Sequence, residues 1–215
     1  MDLHQTESRD QPVTNDTQTP VLGAAAHFSY NYRMKRNGHR EIKSSEVKYH
    51  NDWISVREDE IIRPSGATDK FNVVSMTSGV TALALDTEGY AYLIREHRYA
   101  IERYSLEASS GGIEPGESPL QAAKRELKEE TGLTSSKWTD LGAVDPFTAI
   151  IDSRDHMFLA EDVTPGERSL EADERIEVVK VPFDQAVEMV LTGEITHGAS
   201  AVAILKTKLL RDRLE

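Results

Sequence analysis

GGIEPGESPLQAAKRELKEETGL, residues 111–133, is the stretch on which the reading of this chain turns. Ser118 is a good helix N-cap, Pro119 suits the first helical position, and Gln121 completes an S-x-x-Q capping box. Gly132 is placed for a left-handed C-cap, so the spacing predicts a helix over Ser118 to Thr131. On a wheel of about 100° per residue, Glu129 and Glu130 fall within roughly 60° of Glu126. Leu120, Ala123 and Leu127 form a separate apolar stripe, and Gln121, Arg125 and Lys128 take the remaining side. Three carboxylates at i, i+3 and i+4 repel one another. They are either a solvated acidic face tempered by Arg125 and Lys128, or a site for a hard cation such as Mg²⁺, which takes a few carboxylates together with substrate phosphate. Ser109 to Glu117 reads as a compact glycine-rich turn that lets backbone approach those carboxylates. The turn lacks the G-K-[ST] ending of a P-loop.

Outside that stretch, strand signals dominate. Trp53 to Glu58 alternates, Ile61-Ile62 runs into the turn Arg63-Pro64-Ser65-Gly66, and apolar runs follow at Phe71–Met76, Val80–Leu85 and Tyr90–Ile94. No helix-length segment separates these runs, which favours antiparallel meanders. Further strands are expected near Trp138–Val144, His156–Ala160 and Glu177–Val181, and amphipathic helices over Phe183–Leu191 and Ser200–Arg211. The economical architecture is a mixed sheet flanked by a few helices. Residues 1–40 read as a polar extension, largely disordered: residues 1–20 have too little apolar surface to offset ordering entropy, while the alternation of Phe28, Tyr30 and Tyr32 suits either a short edge strand or a loosely held arm. Residues 41–76 read as an N-terminal strand region and 77–215 as the main domain.

The chain of 215 residues carries 37 acidic and 25 basic side chains, a formal charge of −12. That balance repels polyanions, so neither nucleic acid nor an anionic membrane is expected as a partner. With no cysteine, disulfides, thiolate metal sites and cysteine nucleophiles are excluded. No secretory signal or membrane-length apolar run is present, and a cytoplasmic location is the default expectation.

The 111–133 stretch resembles the signature of the Nudix hydrolases, G-x5-E-x7-R-E-U-x-E-E-x-G-U, where U is a bulky aliphatic residue. Gly111, Glu117, Arg125, Glu126, Leu127, Glu129, Glu130, Gly132 and Leu133 fill every fixed position. The resemblance implies an α/β fold, the Nudix α/β/α sandwich with a mixed sheet, here preceded by an antiparallel strand region. It implies Mg²⁺, with Mn²⁺ able to substitute, held by Glu126 and Glu130, by Glu129 directly or through water, and by the carbonyl of Ser110. Gly111, Glu117, Arg125 and Gly132 would be structural, with Glu117 and Arg125 bridging the loop to the helix. A general base is expected outside the signature, in the acidic stretch before Glu177, with Glu171, Asp173 and Glu174 as candidates and Glu174 favoured.

From about Glu41 to Leu210 the chain resembles the ADP-ribose pyrophosphatase branch, whose L-V-R-Q-Y-R-Y segment is similar to Leu93-Ile94-Arg95-Glu96-His97-Arg98-Tyr99. The branch implies hydrolysis of a nucleoside diphosphate sugar, ADP-ribose first, to a nucleoside monophosphate and a sugar phosphate. Other nucleotides (GDP-mannose, dinucleoside polyphosphates, oxidised nucleoside triphosphates) and a non-catalytic nucleotide sensor are the alternatives. Arg98, Arg95, Arg63 and Glu107 are the candidate substrate contacts, Arg98 because a guanidinium grips phosphate oxygens bidentately. Tyr99 would pack, or stack on a base. His156 reads as a structural strand residue, and His197 carries no assignment. The branch also implies a homodimer whose N-terminal strands exchange and help build the substrate pocket. Two segments depart from the branch. Its L-E-L-P-A-G reads Leu106-Glu107-Ala108-Ser109-Ser110-Gly111, and its P-G-x-x-D-E segment is replaced by Pro146 to Arg154.

Overall fold

A computed structural model describes residues 35–170 and 175–213. In chain order the strands are β1 (Lys35–Asn37), β2 (Arg40–His50), β3 (Ile54–Ile62), β4 (Thr68–Met76), β5 (Gly79–Leu85), β6 (Tyr90–Arg98), β7 (Arg103–Glu107) and β8 (Ser109–Gly112). Helix α1 (Pro119–Thr131) follows, then β9 (Leu133–Thr134), β10 (Lys137–Val144), β11 (Ile151–Asp152), β12 (Asp155–Glu161), β13 (Thr164–Pro165) and β14 (Glu177–Pro182). Helices α2 (Phe183–Leu191) and α3 (Gly198–Arg211) end the described chain.

The central sheet runs β10-β12-β5-β6-β14, with β12 parallel to β5 and the other neighbours antiparallel. Strand β5 shows why it lies at the centre. Val80, Ala82 and Ala84 pack with Ala122, Ala123 and Leu127 of α1, while Leu83 and Leu85 pack on the other face with Phe183, Ala203 and Ile204 of α2 and α3. A continuous apolar run is what a strand covered on both faces requires. The result is the α/β/α sandwich with a mixed sheet expected above.

A second sheet, β1-β2-β3-β4-β11, precedes it in the chain and is antiparallel except at its edge, where β11 lies parallel to β4. Pairing starts at Lys35, so residues 35–40 are part of a hairpin and do not belong to a disordered extension. Phe28, Tyr30 and Tyr32 lie outside the described residues. Strand β11 comes from the segment 146–154 and has only two residues, too few to show periodicity in sequence.

Strands β5 and β6 stay paired only at Ala84/Tyr92 and Leu85/Ala91 and then part. Strands β7 and β8 fill the opening, β7 on β6 and β8 on β5, with the chain crossing between them at Ala108. The reading of residues 109–117 as one compact turn is corrected here: Ser109–Gly112 is a strand, and the turn begins at Ile113. Ser-Ser-Gly-Gly has no alternation to reveal it. Its pairing is a backbone matter settled by β5.

Helix α1 forms as its caps dictate. Ser118 Oγ accepts from the Gln121 amide, Gln121 Oε1 accepts from the Ser118 amide at 2.9 Å, and Gly132 closes the helix at φ 73°. A Cβ on Gly132 would lie 2.9 Å from the Gly166 carbonyl oxygen, which is backbone and cannot swing away. Gly132→Ala is therefore expected to cost about 2 kcal/mol or more, the left-handed conformation contributing roughly 1–2 kcal/mol of it. Urea unfolding measures the loss.

Candidate active site

The corner where β8 meets α1 gathers the signature side chains. Glu130 is 3% exposed, and its Oε2 accepts from Ser109 Oγ at 2.5 Å and from the Ser110 amide at 3.0 Å. Both bonds fall on one oxygen, which leaves Oε1 for a cation. Burial pushes the Glu130 carboxyl up to about 8, against the pull of the Ser109 and Ser110 bonds and with help from Glu126. The three acidic positions are therefore unequal: Glu130 lies inside, and the Glu129 side chain is 38% exposed. The predicted separation of a carboxylate face from a core face also fails, since Ala122 and Glu130 are buried beside Ala123 and Leu127.

Glu126 lies over Gly111. A Cβ there would fall 2.0 Å from Glu126 Oε1 and 2.2 Å from Cδ, so only glycine lets the carboxylate occupy its place. Arg125 ties the corner together. Its Nε and Nη2 donate to the two Glu117 oxygens at 3.1 Å each, and Nη2 also donates to the Gly112 carbonyl at 2.9 Å. That is the predicted bridge between loop and helix. Its Nη1 makes a further pair of bonds, to Glu126 at 2.8 Å and Glu129 at 3.1 Å. With these neighbours the guanidinium is held protonated still more firmly than usual, the Glu117 bond contributing most.

Among the described residues no three acidic or histidine side chains already converge on one point. Glu126 and Glu129 are instead paired with Arg125 Nη1. The donors nonetheless suit a hard divalent cation: carboxylate and backbone oxygens, a cradle open only because residue 111 is glycine, and one oxygen of Glu130 left over.

Arg98 and Glu107 meet each other. Arg98 Nε and Nη2 donate to the Glu107 carboxylate at 3.2 and 2.7 Å, and Nη1 lies 2.7 Å from Glu96. Glu107 is 4% exposed, a buried partner that holds Arg98, whose Nη2 also lies 3.5 Å from Ser110 Oγ in the loop. Burial alone would raise Glu107, yet the Arg98 bond, the His197 charge and a bond from Ser105 together hold it below the usual carboxylate range. Arg95 reaches Glu177 on β14 at 3.7 Å, while Arg63 pairs with Asp69 across the β3–β4 turn; neither is tied to the corner. Tyr99 is 93% exposed and does not pack. His156 lies in β12 as expected. Glu171, Asp173 and Glu174 lie outside the described residues.

Sequence reasoning missed three residues. Asp155, half-buried at the start of β12, accepts from Thr81 Oγ1 at 2.9 Å, and burial raises its carboxyl despite that bond and two nearby histidines. His197 and Ser200, at the start of α3, contact each other at 2.8 Å and reach Glu107 and Ala108. No local pattern marks them, because their partners are far away in the chain.

The sequence profile described as the NUDIX domain matches residues 76–200. The chain belongs to the Nudix family. It is a Nudix pyrophosphohydrolase. The profile of the nucleoside diphosphate sugar hydrolase N-terminal domain matches residues 41–74, the antiparallel sheet that precedes the Nudix sandwich. An ADP-ribose pyrophosphatase of Bacillus subtilis is 33% identical over 153 residues, 70% of this chain and 83% of the relative. A GDP-mannose pyrophosphatase of Escherichia coli is 30% identical over 168 residues, 73% of this chain and 85% of the relative. In fold, the crystal structure of an ADP compounds hydrolase superposes with a TM-score of 0.73 at 22% identity, covering 84% of this chain and 98% of that one. No helix among the described residues of this Nudix protein is long and apolar enough to cross a membrane.

Proposed function

We propose that this chain hydrolyses the diphosphate bond of a nucleoside diphosphate sugar, with ADP-ribose as the preferred substrate and Mg²⁺ as the cofactor. The observation that carries the reading is the corner where Glu130 is gripped by Ser109 and Ser110 while Glu126 lies in the space glycine leaves at position 111. Glu126, Glu130 and the Ser110 carbonyl would hold the ion, with Glu129 at the exposed side. A divalent ion bound there would neutralise the diphosphate and make a water more acidic. Water then adds to one phosphorus, and the bridging oxygen leaves with the other phosphate. Arg98, oriented by Glu107, is the donor for a phosphate oxygen. Arg95 and Arg63 are retained as contacts of the distal parts of the substrate, Arg63 from the N-terminal sheet of a second copy.

The base is proposed among Glu171, Asp173 and Glu174. Support comes from the described chain just before them, where the Ser169 amide donates to the Glu129 carbonyl of α1 at 3.3 Å. Removing the true base should abolish the acidic limb of the pH–rate profile, and removing the other two should not.

A homodimer is supported by apolar side chains that the described chain leaves open on the N-terminal sheet and beside β11: Val47, Tyr49, Trp53, Met76, Phe147 and Ile150. Light scattering in solution tests it. The substrate is tested by assaying ADP-ribose, GDP-mannose, diadenosine polyphosphates and oxidised dNTPs with Mg²⁺ and identifying the products. Turnover of ADP-ribose below that of any other member overturns the preference, and tight binding without turnover in any metal overturns the enzymatic reading of the site.

Glu130 links pH, metal and stability. Its folded value of about 8 lies above the ordinary 4.5, so its contribution to stability is complete below 4.5 and is lost as pH rises through about 8. A bound cation removes that loss by pairing the buried charge. Mg²⁺ at matched ionic strength should therefore raise Tm little near about pH 5.5, and by about 4 °C or more near about pH 8.5. Thermal scans across that range check it.

A further inference from the structure

Helix α3 stands outside the signature, yet its first turn closes a gap in the site. Ala108 is the bend at which the chain leaves β6 for β5, and its amide has no place in either strand ladder. That amide donates to Ser200 Oγ at 2.8 Å, and both residues are fully buried. Ser200 Oγ is also 2.8 Å from His197 Nδ1, and the same nitrogen lies 3.6 Å from Glu107 Oε2. Ser200 Oγ therefore accepts from the Ala108 amide and is hydrogen-bonded to His197, whose ring lies against the Glu107 carboxylate. One turn of α3 thus holds Glu107 and Ala108, and the next two residues are Ser109 and Ser110, which grip Glu130.

We infer that Ser200 and His197 are positioning residues of the metal site: they fix the Glu107–Ala108 bend so that the Ser109 hydroxyl, the Ser110 amide and the Ser110 carbonyl are presented at Glu130. The inference rests on the proposal that this corner holds a divalent ion. A buried amide left without an acceptor is costly, so loss of the Ser200 hydroxyl shifts the Ala108 peptide and carries the adjoining serines with it. Residues that orient metal ligands affect affinity on the order of 10- to 100-fold.

The test is Mn²⁺ binding to the full chain, read by electron paramagnetic resonance of the free ion with no substrate present. Ser200→Ala should weaken Mn²⁺ binding about 10-fold or more, and Ser200→Thr, which restores a hydroxyl, should recover it. His197→Ala should weaken it in the same direction but less, because the Ala108 bond to Ser200 survives. Ile204→Val, buried in the same helix and taking part in none of these hydrogen bonds, should lower Tm and leave Mn²⁺ binding unchanged. If Ser200→Ala does not fold, His197→Ala against Ile204→Val carries the comparison. Wild-type affinity in Ser200→Ala, or in His197→Ala where that carries the comparison, overturns the inference while the metal site stands. So does weakened binding in Ile204→Val in step with its Tm. Absence of Mn²⁺ binding in the unaltered protein overturns the metal site itself, and the inference with it.

Discussion

Glu130→Gln is expected to lower kcat by at least about 10²-fold while leaving the protein folded and at least as stable as before. The amide oxygen of glutamine can take the place of Oε2 and keep the bonds from Ser109 and Ser110. What disappears is the negative charge. Burial already opposes that charge, holding the carboxyl up at about 8, so a neutral side chain relieves the fold where the acid strains it. Stability and activity should therefore move in opposite directions, which separates a metal ligand from a structural acid. The substitution should also abolish the larger Mg²⁺-dependent rise in Tm at high pH. Steady-state kinetics and thermal unfolding on one preparation decide the matter; near wild-type turnover would remove Glu130 from the mechanism.

Gly111→Ala is expected to cost at least about 10-fold in kcat with the fold retained, and Gly112→Ala next to it is expected to be close to silent. The contrast is geometric. At Gly111 the new methyl group would lie 2.0, 2.2 and 2.6 Å from three atoms of the Glu126 carboxyl group, so that carboxylate must swing out of the corner. A side-chain end can move without breaking the sheet, hence the retained fold. At Gly112 the nearest atom is a Thr77 methyl carbon at 3.9 Å, an ordinary contact. Equal activity in the two variants would show that the place of Glu126 over Gly111 is not used in catalysis.

Helix α1 with its caps was legible in the sequence, and its loop-to-helix bridge of Glu117 and Arg125 followed from the family resemblance. Caps and carboxylate spacing depend on residues within one or two turns of each other, and local rules reach that far. Strand β5 was legible as an apolar run, but its cover by helices on both faces was not, since that depends on where α1, α2 and α3 pack. Strand β8 was not, because Ser-Ser-Gly-Gly becomes a strand only when β5 supplies the partner. Nor could the wheel separate Glu130 from Glu129. Both point to one side of the helix, and only the arrival of β8 makes one interior and leaves the other exposed.

By itself, the sequence determined the family signature and the helix that carries it, both short-range properties of one stretch of chain. Tertiary structure alone decided the rest: which carboxylate is buried, that Arg98 is held by Glu107, and that Ser200 reaches Ala108 across 92 residues. Such pairings depend on where separate strands and helices meet in space, and no local periodicity encodes that meeting.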